Sequence, residues 1–179
     1  LVTTAYVAAF IGDSSWSNYR VTFGGGDYDQ TSSFQVWVRM QDNQNFIGMT
    51  CLPSQGWLAC QGYKMVNGGE QALPGFQQPT RFCAKGQQQC DIAVQAIGPN
   101  YSVLVNGEQV VAFADNSFFS GGIGFGVDGE FALDYVHVFE PGGGAMPAGT
   151  LFRDDFDTNA WGEEVSADEY AVVYRQVED

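Results

Sequence analysis

One histidine, His137, and four cysteines, Cys51, Cys60, Cys83 and Cys90, make up the chain's whole supply of imidazole and thiol. Zinc and redox motifs need cysteines about two residues apart with further ligands nearby, and the 51/60 and 83/90 spacings are too wide. A Ser-His-Asp set needs a histidine beside its nucleophile; His137 falls on an alternating stretch, where a solvent-facing residue is the simpler reading. The thiols point instead to disulfides. Four cysteines allow three connectivities, and Cys51–Cys60 with Cys83–Cys90 closes two short loops. Each would contribute somewhat under roughly 3 kcal/mol in the chain-entropy model. Four reduced, buried thiols are the competing reading; the even number and local pairing favour an oxidising compartment.

Binding chemistry has better material. Trp37 and Arg39 alternate on the face opposite Val36 and Val38, Gln41, Asn43 and Asn45 follow in a polar turn, and Trp57 and Tyr63 lie by the first proposed disulfide. Aromatic faces beside amides suit stacking and hydrogen bonding to a glycan, so Trp37, Arg39, Asn43, Asn45 and Trp57 are the candidate contacts. Trp37 packed beneath a neighbouring loop is the plainer alternative. Asn100-Tyr101-Ser102 is a glycosylation sequon on a turn. Gly24-Gly25-Gly26 lacks the Lys-Ser/Thr and helix of a phosphate loop and reads as a bulge or turn.

The chain that must position these groups has 179 residues, enough for one domain, with 45% hydrophobic and 15% aromatic residues to build a core. Seven Lys+Arg stand against 21 Asp+Glu, a formal net charge of −14. Such a surface repels phosphate backbones and anionic lipid heads, which argues against nucleic acid and membranes as partners. No apolar run approaches the roughly 18–20 residues of a bilayer span. Leu1 is not an initiator methionine, and the expectation is a mature or excised chain with any export signal outside it.

Glycines punctuate short alternating segments, and helical periodicity is nearly absent. Ser33–Met40 puts Phe34, Val36, Val38 and Met40 on one face and Gln35, Trp37 and Arg39 on the other, the period of a half-buried strand. Strands of the same kind are predicted over Tyr6–Phe10, Tyr19–Phe23, Asn45–Cys51, Trp57–Lys64, Asp91–Ile97, Tyr101–Val105, Gln109–Ala114, Gly122–Val127 and Phe131–Phe139. Asn106-Gly107 between two of them is a hairpin signal. About a dozen strands with frequent turns predict an all-β antiparallel sandwich. A body over 1–140 is followed by a Gly/Pro linker over 141–149. The segment 151–179 then carries nine acidic and two basic residues, −7 of the net −14. It also carries Leu151, Phe152, Phe156, Trp161, Tyr170, Val172, Val173 and Tyr174, too apolar for a solvated tail, so it should pack as strands.

From Trp16 to Phe139 the chain resembles the concanavalin A-like lectin/glucanase superfamily, nearest its laminin-G-like and 3-keto-disaccharide-hydrolase-type domains. Trp16-Ser-Asn-Tyr19-Arg-Val, Phe34-Gln-Val-Trp-Val-Arg39, Tyr101-Ser-Val-Leu-Val-Asn106-Gly107, Gly121-Gly-Ile-Gly-Phe125 and Ala132-Leu-Asp134-Tyr-Val-His-Val138 carry the resemblance by order and spacing. The fold it implies is a jelly roll of two curved antiparallel sheets. The family's opening signature, apolar residues before D-D-F and a later W, stands here at the far end, as Leu151-Phe-Arg-Asp154-Asp155-Phe156 with Trp161. Moving the last 29 residues to the front restores the family order, so the chain looks circularly permuted. Three arrangements follow: the segment folds back into its own sandwich, it inserts into the next copy, or the sequence is one shifted period of a tandem array.

Family glucanases carry an E-x-D-x-x-E strand, and Glu130-Phe-Ala-Leu-Asp134 lacks that spacing, so no catalytic residue is assigned. Many relatives hold Ca²⁺ between first and last strands; Asp134, Asp154 and Asp155 are the residues this would use, and calcium is the only cofactor the resemblance admits. The leading expectation is a non-enzymatic extracellular structural subunit. Its partners would be copies of itself, joined head to tail through Leu151, Phe152, Phe156, Trp161, Tyr170, Val172 and Tyr174. The alternative is an extracellular carbohydrate-binding, lectin-like module, monomeric or tandem.

Overall fold

The structure, a computed structural model, describes residues 2–3, 7–25, 33–54, 57–81, 90–128, 131–132, 135–140, 150–154 and 171–175. In chain order the strands are β1 (Val2–Thr3), β2 (Val7–Ile11), β3 (Tyr19–Gly25), β4 (Ser33–Asp42), β5 (Asn45–Ser54), β6 (Trp57–Val66), β7 (Gly69–Ala72), β8 (Phe76–Gln77) and β9 (Thr80–Arg81). There follow β10 (Cys90–Ile97), β11 (Asn100–Val105), β12 (Glu108–Ala114), β13 (Gly122–Asp128), β14 (Phe131–Ala132), β15 (Tyr135–Phe139), β16 (Thr150–Asp154) and β17 (Ala171–Arg175). None of the described residues is helical, and no described helix is long and apolar enough to cross a membrane.

Two sheets form a sandwich. One runs β16-β15-β3-β10-β11-β12-β8, the other β17-β2-β13-β4-β5-β6-β7 with β9 on β6, and β1 pairs with β14 apart from both. All pairings are antiparallel except β17 on β2, which is parallel. The all-β antiparallel sandwich expected from the alternation is therefore the fold. The last two strands occupy one edge of each sheet of their own chain, with Phe152 opposite Val138 and Val172 opposite Ala8.

The alternation acts as the period-2 rule requires. Inward positions of β3, β10, β11 and β15 (Val21, Phe23, Val94, Val103, Val136, Val138 among them) meet inward positions of β4, β5 and β13 such as Val36, Val38, Ile47, Met49 and Ile123 in one buried core. Each such side chain contributes about 1.5–3 kcal/mol by leaving water. Asn106 and Gly107 take φ of 49° and 84° between β11 and β12, the left-handed pair that matches the twist of a two-residue hairpin. Asn67 and Gly68, with φ of 50° and 76°, repeat the device between β6 and β7. At the rim, Lys64 Nζ meets Asp115 Oδ2 at 2.9 Å, tying β6 to the loop after β12. Burial pushes the Asp115 carboxyl up, but hydrogen bonds from Lys64 and Ser117 outweigh it and hold the group below the usual carboxylate range.

Cys51 and Cys60 face each other on β5 and β6 and form a disulfide, with Cα atoms 4.1 Å apart. Cys83 lies outside the described residues, and Cys90 opens β10 opposite Gly25. The Cys51–Cys60 bridge closes a loop of sequence separation 9, so the chain-entropy model assigns it about 2–3 kcal/mol. The double variant Cys51→Ala/Cys60→Ala should lower the unfolding free energy from urea titration by that amount, the midpoint falling with it. A midpoint within error of the parent would refute the estimate.

Candidate functional site

The five glycan contacts expected from sequence do not converge. Trp37 does lie opposite the core-facing valines, but it is only 6% exposed. Its ring stacks on Phe10 at 5.6 Å and 17°, touches Phe46 at 5.5 Å, and sits in a second apolar layer with Tyr63, Met40 and Met65. Its indole Nε1–H donates to the Tyr63 hydroxyl at 2.7 Å, which donates to Gln35 Oε1 at 3.0 Å. Cross-strand register makes this layer: Phe10, Gly124, Trp37, Gly48 and Tyr63 are successive partners across β2, β13, β4, β5 and β6. Bulky rings alternate with glycines, and each ring lies down over its neighbour. A Cβ on Gly48 would fall 2.3 Å from the Tyr63 ring, and one on Gly124 2.6 Å from Trp37.

Arg39 departs from its expected face altogether. The β4–β13 register shifts between Gly122 and Gly124, and Arg39 takes φ of 50°. A bulge of this kind reverses which face the following side chain meets. Arg39 is 1% exposed. Nη1 donates to Phe118 O at 2.9 Å and Tyr101 Oη at 3.2 Å, Nη2 donates to Ser17 O at 2.9 Å, and the guanidinium lies 5.2 Å from the Tyr101 ring centre. Its amide donates to the Tyr19 hydroxyl at 2.5 Å. Burial pushes the Tyr19 and Tyr101 phenols up, opposed by Arg39, so both stay neutral donors and acceptors.

Asn45 also has a structural post. Its Nδ2 donates to the Asp42 carboxylate at 2.9 and 3.0 Å, and its Oδ1 accepts from the Asn67 amide at 3.0 Å, joining two hairpin turns. Asn43 is exposed at the tip of the first turn. Trp57 is 48% exposed on the same face of β6 as Tyr63, but six residues away, about 20 Å along the strand. Asn100 is exposed where β11 begins. Of the proposed metal ligands, Asp134 and Asp155 lie outside the described residues, and Asp154 is placed only by its backbone, opposite Val136. The described residues contain no group of three or more His, Cys, Asp or Glu that could hold a metal. Leu151 and Phe152 belong to β16, and Val172 and Tyr174 to β17. Phe156, Trp161 and Tyr170 lie outside the described residues, as does the linker over 141–149.

A different set of residues does converge, on the outward face of the sheet that contains β3, β10 and β15. Alternation on β15 turns Tyr135, His137 and Phe139 to that face as a row of rings, with centroids 4.8 Å and 5.8 Å apart. Opposite them on β3 stand Gly24, Thr22 and Arg20, and beyond these on β10 Asp91, Ala93 and Gln95. Gly24 lets the Tyr135 ring cross β3, since a Cβ there would come within 2.6 Å of it. The Tyr135 hydroxyl thereby donates to Asp91 Oδ1 at 2.5 Å. Asn106 fixes Asp91 from the other side: Asn106 Oδ1 accepts from the Asp91 amide at 3.0 Å, and the Asn106 amide donates to Asp91 O at 2.8 Å.

These residues line an open groove of about 530 Å³, within the size range of small-molecule sites. Aromatic faces run along one wall, a cation sits at one end, and a carboxylate and an amide at the other. A hollow of about 330 Å³, lined by Gln95, Ile97, Ser102, Gln109 and Ala112, adjoins it, since Gln95 is the cross-strand partner of Arg20. Sequence reading treated His137 as merely solvent-facing. The signal that would have found the groove was Tyr135-Val-His-Val-Phe139 itself, three rings on the wet side of a strand.

Sequence comparison matches the chain to no family model and to no curated protein. Its fold does match solved structures. The carbohydrate-binding module CBM66 from Bacillus subtilis superposes with a TM-score of 0.50 at 12% identity, covering 73% of this chain and 92% of that one. Sheep galectin-11, solved with glycerol, gives 0.52 at 14% over 76% and 99%. A toad ovary galectin, solved with thio-digalactose, gives 0.50 at 12% over 76% and 99%. At such identities the likeness establishes the jelly-roll sandwich of the concanavalin A-like kind.

Proposed function

We propose that this protein is an extracellular, non-enzymatic carbohydrate-binding module of the lectin type. The groove on β15, β3 and β10 is its binding face. The observation that carries the reading is the row Tyr135, His137 and Phe139 beside Arg20, Thr22 and Asp91. Sugars offer an apolar ring face for stacking and a rim of hydroxyls for planar polar groups, and the groove supplies both. Structures of the same fold include a carbohydrate-binding module and a galectin solved with thio-digalactose, which supports the reading. Catalysis finds little material here: among the described residues Asp91 is the single carboxylate lining the groove, whereas glycoside hydrolysis uses two, roughly 5–9.5 Å apart. The Cys51–Cys60 disulfide supports an oxidising, extracellular setting.

Head-to-tail strand donation, the leading expectation from sequence, draws no support from the fold or its neighbours. It required apolar sheet edges left open for a neighbour, and here β16 and β17 pair with β15 and β2 of the same chain. We read β16 and β17 as the displaced opening of a circularly permuted jelly roll, folded back on itself.

The test is a glycan array probed with the intact chain. Retention on at least one glycan is expected, with an Asp91→Ala/His137→Ala variant losing about tenfold or more in affinity, since polar contacts to a buried ligand are worth about 1–3 kcal/mol. Both forms should melt alike. Absence of retention on every glycan defeats the reading, and a polymer in native mass measurements would reinstate strand donation.

A further inference from the structure

We infer that the groove selects an anionic saccharide, one bearing a carboxylate or sulfate, and that Arg20 is the residue that reads the charge. The inference rests on the glycan-binding reading above and specifies its ligand.

Four observations point the same way. First, the Arg20 side chain has no ion pair or hydrogen bond among the described residues, where the ion pair is Lys64–Asp115. Second, its Nε is buried without a partner although the residue as a whole is part-exposed in the groove lining. A guanidinium held this way keeps its donor fork unspent, and that fork matches the paired oxygens of a carboxylate or sulfate. Third, Arg20 stands beside the ring row in a chain that has few cations. Register places Arg20 opposite Phe139 on β15, with His137 opposite Thr22 two positions along β3. Arg20 is one of only seven Lys+Arg in a chain with 21 Asp+Glu. Fourth, the groove's own carboxylate stands away from Arg20. Asp91 partners Gly24, four residues along β3 from Arg20, about 13 Å, and its Oδ1 accepts from Tyr135.

The groove therefore has a direction. Its Asp91–Asn106 end offers acceptors for sugar hydroxyls, its ring row takes the apolar sugar face, and its Arg20 end takes an acidic substituent. A protein of net charge −14 has no general attraction for polyanions, so retention on one would report a local site.

The experiment uses the intact chain in affinity electrophoresis through gels containing polygalacturonate, chondroitin sulfate or neutral dextran and galactan, at two salt concentrations. Retention on polygalacturonate or chondroitin sulfate beyond that on the neutral polymers is expected, weakening as salt rises. Retention on polygalacturonate shows that a carboxylate suffices, whereas retention on chondroitin sulfate alone, which carries sulfate beside its uronate, assigns the sulfate. Arg20→Gln should reduce that retention about tenfold or more, with melting unchanged, and Arg20→Lys should restore only part. Retention on neutral polymers alone, or anionic retention indifferent to Arg20→Gln, overturns the inference while leaving a lectin. Retention on none of them, together with a blank glycan array, overturns both.

Discussion

Arg39→Ala is expected to lower the unfolding free energy by about 3–5 kcal/mol, the largest single effect predicted for this chain. The guanidinium is wholly buried and bonds Ser17 O, Phe118 O and the Tyr101 hydroxyl. It pins the loops before β3 and after β12 to the end of β4. Truncation takes the Arg39 donors from Ser17 O and the Tyr101 hydroxyl and leaves Phe118 O with the Tyr101 hydroxyl alone, in surroundings where an unmet polar group costs about 1–3 kcal/mol, and opens a void besides. Arg39→Met tests the division between these causes. It refills most of the volume but supplies no donor, so it should recover the cavity part of the loss and no more. Urea unfolding of both variants decides it. A loss under about 1 kcal/mol for Arg39→Ala would mean the guanidinium is not the clamp its contacts describe.

Gly48→Val should cost about 2–3 kcal/mol, as overpacking does. Its Cβ would lie 2.3 Å from the Tyr63 ring, so the ring must lift off the sheet. The Tyr63 hydroxyl then leaves both Trp37 Nε1 and Gln35, and the Trp37 indole loses its acceptor. Near-ultraviolet circular dichroism should register the disturbed aromatic layer. The mechanism makes a sharper demand. In a Gly48→Val/Tyr63→Leu double variant the clash disappears, so the combined loss should fall short of the sum of the singles by about 1 kcal/mol or more. Simple additivity would show that the glycine matters for some reason other than the ring above it.

Both predictions concern residues that sequence reading had set down for glycan contact or had passed over. Trp37 was placed on the correct face of β4, because alternation is a local property. That the face is covered by Phe10, Phe46 and Tyr63 depends on residues 9 to 27 positions away in sequence, which no local pattern reports. Arg39 failed differently. A strictly alternating count puts it beside Trp37, and one bulge sends it into the sandwich. The Asn106-Gly107 hairpin was legible from its dipeptide, and the identical Asn67-Gly68 pair carried the same message unread. The short strands β7, β8 and β9 show no alternation of their own. They exist because β6 and β12 present open edges to them.

By itself the sequence determined the class of fold and most strand positions, and it favoured the Cys51–Cys60 pairing among the three connectivities. These follow from period, composition and short spacings, all of which act within a few residues. Only the tertiary structure decided which aromatics became packing and which became a groove, since a strand's outward face is either covered or open according to what lies beside it. Tyr135, His137 and Phe139 stand in the open beside Arg20 because β15 pairs with β3, 110 or more residues earlier in the chain.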